Sequence, residues 1–323
     1  MLGLSVGKMV ARGSGAWWPP QAVYAADFMT GRYMIGGVEV PASAAFTFAR
    51  ASTKLAPDRS GIYHAFAVDE LARTDRGAWL EPASTNYIRN NTNLGAVAGT
   101  ATLPTNWSIL TSAGLNREVV ALGSTGSLTY MDLRLYGTAN TAGPVQVTCE
   151  AASTIAANPG ETWTISAFLQ AIAQPAPPTS TRLRLREDNS AGGTVSIRDT
   201  NAILGPDVER YSGSFVLNGA TTVSIRPVLA FGVVIGGVYD FTLRVGLVAV
   251  ERQAAPTTPI ETSGTAGTAS QDELTFAIPT TPHRLTYVYE GGVTVMADSV
   301  TTLDSAPTQP NRPLLSLSAA SVT

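Results

Sequence analysis

The run Gly126-Ser-Leu-Thr-Tyr-Met-Asp-Leu-Arg-Leu-Tyr136 changes side-chain character at every second residue, and no other feature restricts the chain as much. Strand side chains point alternately to opposite faces, whereas a helix repeats every 3.6 residues. Leu128, Tyr130, Asp132, Arg134 and Tyr136 therefore share one face, opposite Thr129, Met131, Leu133 and Leu135. The aliphatic side turns inward, and the side bearing Tyr130, Asp132, Arg134 and Tyr136 meets solvent or a ligand. Thr181-Arg-Leu-Arg-Leu-Arg186 repeats the pattern, presenting Arg182, Arg184 and Arg186 together. With further runs at 162–169, 193–198, 211–217, 221–228 and 239–250, the spacing predicts about eight to ten antiparallel strands. Such spacing suits an all-β jelly-roll sandwich.

Composition agrees with strands and tight turns rather than helices. Charged residues make up 14% of the chain and hydrophobic residues 44%, so there is little of the Glu/Lys i,i+4 spacing that solubilises helix surfaces. At 323 residues the chain is about twice a typical ~150-residue domain. Its organisation reads as four parts. Residues 1–45, with Trp17-Trp-Pro-Pro20, form an attachment or oligomerisation segment. Residues 46–91 form a β-rich flank and 92–253 the jelly roll. Residues 254–323 form a polar linker and a C-terminal β region, with Gly291-Gly292 at a hairpin turn. Trp17 and Trp18 either complete a local core or bury against a neighbouring subunit, a role in which Trp is enriched.

Several functions are excluded. A net charge of −3 gives no reason to expect nucleic acid as a partner, since its binders concentrate Lys and Arg. Cys149 is the single cysteine, so there is no internal disulfide or Cys-based zinc site. Met1-Leu-Gly-Leu-Ser-Val-Gly-Lys-Met-Val10 is interrupted by Lys8, and no signal peptide is expected. No apolar stretch is long enough to insert in a membrane as a helix.

Catalytic spacing is missing as well. There is no Gly-x-Ser-x-Gly elbow. His64 and His283 lie on either side of the jelly roll, and His64 falls among Ile62, Phe66 and Val68 on one strand side, as a core or interface histidine. Asp69-Glu70, Glu187-Asp188 and Asp272-Glu273 are adjacent pairs that point to opposite strand faces, and are expected as solvated turn carboxylates. Trp107 and Trp163 are expected in the core. No catalytic residue, cofactor or metal site is assigned.

Three stretches resemble a class of phage and prophage virion proteins that includes the head-spike proteins of gene transfer agents. Phe48-Ala-Arg-Ala-Ser-Thr53, followed by Gly77-Ala-Trp-Leu-Glu-Pro-Ala-Ser-Thr-Asn86, is similar to an F-x-R-A-S-T strand and a G-x-L-x-E-x-x-x-T-N turn. Gly160-Glu-Thr-Trp-Thr-Ile-Ser-Ala-Phe-Leu169, with Val208-Glu-Arg-Tyr-Ser-Gly-Ser-Phe215, resembles strands of carbohydrate-binding jelly rolls. Gly246-Leu-Val-Ala-Val-Glu251, Ala255-Pro-Thr-Thr-Pro-Ile-Glu-Thr262 and Ala269-Ser-Gln-Asp272 resemble the exit from such modules. Met1-Leu-Gly-Leu-Ser also looks like the start of proteins in this class.

The chain departs from the pattern at Val208 and Arg244, where the class usually carries tryptophan. Related modules often hold a structural calcium near the last strand. Asp240 falls several residues early for that role, so no metal is expected.

The resemblance implies a homo-oligomeric spike or fibre protein on the virion surface. Its partners would be other virion proteins and host cell-surface polysaccharide. A sugar site needs an aromatic face for CH groups and polar side chains for hydroxyls. The candidates are Tyr130, Asp132, Arg134 and Tyr136, joined by Arg182, Arg184 and Arg186 if the two strands share a sheet. The alternatives are a salt-bridge lattice or subunit contact on this face, and a purely structural spike base binding only virion proteins. A capsule-modifying tail-spike enzyme is the least supported.

Overall fold

The computed structural model of the chain describes residues 16–278, 283–300 and 306–321. The Met1–Val10 stretch, with the expectations placed on it, lies outside the described residues.

Eleven strands between Ser108 and Glu251, one more than the upper end of the sequence expectation, make two facing antiparallel sheets. The first sheet runs, edge to edge, Asn116–Thr125, Leu128–Thr138, Val238–Glu251, Thr162–Ala176 and Glu209–Val216. The second runs Ser108–Thr111, Val145–Thr148, Ser224–Gly232, Ser180–Asp188 and Thr194–Asn201, with the short Ile155–Ala156 strand also on Ser224–Gly232. The chain passes repeatedly from one sheet to the other, which makes this an all-β jelly-roll sandwich.

Alternation sets the core. Met131, Leu133 and Leu135 meet Ile165, Leu169, Leu243 and Val245 from their own sheet and Leu183, Leu185, Leu229 and Phe231 from the other. Each fully buried large aliphatic side chain contributes roughly 1.5–3 kcal/mol. Trp107 and Trp163 sit in this core, and their indole N–H groups donate to the Asn90 carbonyl (2.8 Å) and Glu161 (2.9 Å). Cys149 is buried in the same core, and burial pushes its thiol up.

The first and last described strands meet in a second body. Its main sheet runs Val293–Val300, His283–Tyr289, Leu314–Ser321, Ala22–Asp27, Arg32–Ile35 and Val38–Val40. Tyr24, Phe28, Tyr33, Phe276, Tyr287 and Leu317 fill its core. Residues 22–40 therefore belong to the same sheet as the C-terminal strands. The Gly291-Gly292 turn joins Tyr289 to Val293, with φ of +80° and +78° that favour glycine.

Four expectations are corrected. The Gln174-Pro-Ala-Pro-Pro178 stretch, whose prolines predict an exposed loop, is not wholly one. The Thr162–Ala176 strand continues to Ala176, opposite Asp240, and the last of its three register shifts, between Ala173 and Ala176, spans Pro175. The 254–270 stretch is not a free linker, because Gly267–Ala269 pairs with Ser84–Asn86. Glu187, Asp188 and Asp272 are not solvated; all three are buried, each held by partners remote in sequence. His64 is not a core residue. It is exposed and its Nε2 lies 2.8 Å from Asp58, because the neighbouring Tyr63 is the side chain that turns inward.

Candidate functional site

The first sheet's outer face carries four of the predicted site residues together. Antiparallel register sets Asp132 opposite Arg244, Arg134 opposite Thr242 and Tyr136 opposite Asp240. Arg244 Nε and Nη2 donate to the Asp132 carboxylate at 2.8 and 3.0 Å, and Arg134 Nε and Nη2 to Asp240 at 2.7 and 2.8 Å. Glu118 lies 3.7 Å from Arg134. These fork-to-fork pairs raise both arginines and hold the Asp240 carboxyl below the usual carboxylate range. The guanidinium carbons also stand over the tyrosines, Arg244 at 3.5 Å from the Tyr130 ring centre and Arg134 at 4.5 Å from that of Tyr136. Each tyrosine thus already has a cation on one π-face, so this face is a cross-strand salt-bridge lattice and less a free stacking platform.

Arg182, Arg184 and Arg186 do not join that face. Their strand, Ser180–Asp188, lies in the second sheet, so they stand on the opposite side of the sandwich. Odd-numbered Leu183 and Leu185 point into the core, which leaves the arginines outward. Register brings Arg226 beside Arg186, Val228 beside Arg184 and Ala230 beside Arg182, with Thr148 and Gln146 one strand further on. Arg226, unassigned from sequence, completes a row of four; the alternation of Ile225 inward and Arg226 outward is the signal that would have placed it.

Two aspartates serve these four arginines. Arg184 Nε and Nη2 donate to Asp199 at 2.7 and 2.8 Å, and Arg182 lies 3.5 Å from the same carboxylate. Arg226 lies 2.7 Å and Arg186 3.8 Å from Asp188. Burial and the crowding of Arg226 and Arg184 push Arg186 down, with Asp188 opposing them. The Nε groups of Arg186 and Arg226 are buried without a hydrogen-bond partner. Val228 and Ala230 are fully covered yet belong to no hydrophobic core cluster. The register surrounds them with arginine stems, which cover apolar surface, and of the four side chains Arg182 is the one that keeps more than a third of its surface in water.

The residues that carry the resemblance converge elsewhere, at the junction of the two bodies. Arg50 donates to Asp272 (3.1 Å) and to the carbonyls of Ser52 and Ala67 (2.7 Å each). Lys54 pairs with Asp272 and, at 3.1 Å, with Glu81. Glu81 also accepts from the Thr258 N–H (2.9 Å) and hydroxyl (2.5 Å) and the Asn311 N–H (2.7 Å). The neighbouring Thr257 does the same for Glu251, through its N–H (3.2 Å) and hydroxyl (2.6 Å). Thr257-Thr258 thus ties the last sandwich strand to the flanking body. Burial pushes both carboxyls up, but Lys54 brings Glu81 below the ordinary range, while Arg210, 4.0 Å from Glu251, leaves that group raised. These motif residues hold the two bodies together, and their donors and acceptors are consumed in doing so.

Trp17 and Trp18 are half-buried and edge-to-face at 5.5 Å, with Arg32 over the Trp17 ring at 5.3 Å. Among the described residues, no three His, Cys, Asp or Glu side chains stand close enough to hold a metal ion. No helix among them is long and apolar enough to cross a membrane.

No protein-family model and no curated protein matches the sequence. Solved structures do resemble about half of it. A family 4 carbohydrate-binding module aligns at 16% identity, covering 51% of this chain and 99% of its own, with a TM-score of 0.33. The CBM22-1 xylan-binding domain of Paenibacillus barcinonensis Xyn10C aligns at 10% identity, covering 54% of this chain and 99% of its own, with a TM-score of 0.33. An arabinose-bound GH51 α-L-arabinofuranosidase, MgGH51, aligns at 15% identity and a TM-score of 0.38 over 52% of this chain. The match spans 26% of that enzyme chain.

Proposed function

We propose that the jelly roll binds an acidic polysaccharide through the outer face of its second sheet, and that the chain displays it as a spike or fibre protein on a phage-like particle. One observation carries the binding reading. Arg182, Arg184, Arg186 and Arg226 outnumber Asp188 and Asp199 on that face. Guanidinium forks recognise carboxylate, sulfate and phosphate groups in pairs of parallel hydrogen bonds, and a repeating acidic polymer offers such groups at intervals. The face has no aromatic side chain in its rows, so charge supplies the affinity and stacking does not. The display on a particle rests on the resemblance of the three sequence stretches, and in a homo-oligomer weak sites would add through multivalency.

Binding of the purified chain to a polyuronate and to neutral dextran, compared at low and high salt, tests the first part. Retention on the polyuronate alone, weakened by salt and lost in Arg182→Gln/Arg186→Gln, is the expected result. Equal behaviour on both polymers, or no binding to either, favours the purely structural spike base. Labelling of particles with an antibody to this chain tests the second part.

A further inference from the structure

We propose that the chain has a second and smaller binding site, for a single carboxylate-bearing sugar ring, in the cavity between the flanking body and the first sheet. This goes beyond the polymer-binding face, which lies on the other side of the sandwich.

The cavity arises from one hairpin and one bulge. The strands Lys54–Pro57 and Tyr63–Phe66 form a hairpin of the flanking body that lies over the outer face of the first sheet, where Leu55 and Tyr63 pack with Leu128, Phe168 and Leu247. Leu247 is an inward-to-outward misfit that the backbone resolves by strain. Its φ is +37°, at a register shift between the Thr162–Ala176 and Val238–Glu251 strands, and bulges of this kind re-aim side chains beside binding sites. The preceding Gly246 lies opposite both Tyr130 and Phe168, so no side chain fills the space between those rings. The result is a cavity of about 200 Å³. That is below the ~300 Å³ at which drug-sized pockets begin, a size for one ring and not for a chain.

Its lining selects the ligand. Tyr63, Tyr130 and Phe168 give aromatic walls, while Arg76, Arg210 and Arg244 give three cations, and no Asp or Glu lines it. Arg76 is bound to Glu290 and Arg244 to Asp132. Arg210 is different: its donors go to the neutral Thr257 carbonyl and Ser166 hydroxyl, and its one carboxylate neighbour, Glu251, stands 4.0 Å away. Its side chain is 10% exposed, and its Nε is buried with no partner. Arg210 lines the cavity with its hydrogen bonds spent on neutral groups, so its charge is left for a ligand carboxylate to pair. The CH face of a sugar ring suits the aromatic walls.

Titration of the full chain with D-glucuronate, D-glucose and benzoate, followed by calorimetry and NMR, tests the assignment. Val208 is on the rim and partly exposed, so Val208→Glu and Val208→Trp alter the entrance by charge and by bulk without disturbing a core. Glucuronate should bind, glucose about tenfold or more weakly, as expected for losing a charge-assisted hydrogen bond, and both Val208 variants should lose glucuronate binding. Arg182→Gln/Arg186→Gln should leave it unchanged, which separates this site from the polymer face. Equal binding of glucose, tighter binding of benzoate, indifference to both Val208 changes, or loss in the arginine double variant would each overturn the proposal.

Discussion

The two outer faces of the sandwich are made from the same device, an arginine on one strand forked onto an aspartate on the next, yet they differ in balance. On the first sheet, Arg134 and Arg244 meet Asp132, Asp240 and Glu118. On the second, four arginines share Asp188 and Asp199. The first face also carries the tyrosines that look most like a sugar platform, but its own arginines stand over them. An arginine–carboxylate pair is therefore no sign of a ligand site. On the proposed reading, what distinguishes a binding face is the surplus of donors left after internal pairing.

Removing carboxylates one at a time breaks the comparison. The largest effect is expected for Asp188→Ala. Asp188 is fully buried and Arg226 nearly so; deleting one partner of a buried pair costs about 3–5 kcal/mol because it strands the other charge. Urea unfolding would read the loss. On the first face, Asp132→Ala should cost about 1.5–3 kcal/mol, the range for a charge-assisted hydrogen bond, because Arg244 keeps 20% of its side chain in water. An equal cost for the two would show that burial does not separate the faces.

The junction sharpens the contrast through pH. Glu81 is held below the ordinary carboxylate range although burial pushes it up, and Lys54 is the main opposing cause. Its stabilisation is thus present above the unfolded carboxylate value of about 4.3 and lost as pH falls through the lower folded value. Lys54→Met removes the main opposing cause and leaves burial against the Thr258 and Asn311 hydrogen bonds, so the folded value rises and the gain of stability with pH should shrink. The melting temperature of the wild type should climb with pH in acid, and that of Lys54→Met should climb less. Lys54→Met/Glu81→Gln, which leaves Asp272 to Arg50 alone, should flatten the difference.

Much of this was legible in the chain because period two is a local property. Met131, Leu133 and Leu135 inward and Tyr130, Asp132, Arg134 and Tyr136 outward follow from alternation alone, as does the Gly291-Gly292 turn. Which sheet a strand joins is not local. Arg182 and Arg184 alternate as clearly as Arg134 does, but only the crossing of the chain between sheets puts them on the far face. The same limit hid the burial of Glu187, Asp188 and Asp272, each of which has a partner 32 to 222 residues away. Val208 and Arg244, where the chain departs from the pattern it resembles, both line the small cavity, which needs Tyr63 from a different body and so could not be read from either stretch.

The smallest structural effect is expected at Asp240, and it gives the sharpest test of the surplus argument. Asp240 and Arg134 each keep over a third of the side chain in water, and pairs so exposed contribute little because water and salt screen them. Asp240→Ala should therefore leave stability unchanged. It should also leave polyuronate binding unchanged, since the freed Arg134 still stands over Tyr136 and near Glu118. Asp199→Ala makes the matching change on the second face, where one carboxylate serves both Arg182 and Arg184. Some stability is lost there, because Arg184 is nearly buried, but two guanidinium forks become free for the polymer. Affinity for the polyuronate at low salt should rise about tenfold, or ~1.4 kcal/mol. Should Asp240→Ala gain as much as Asp199→Ala, the two faces are equivalent toward anions and a surplus of arginines is not what selects the ligand.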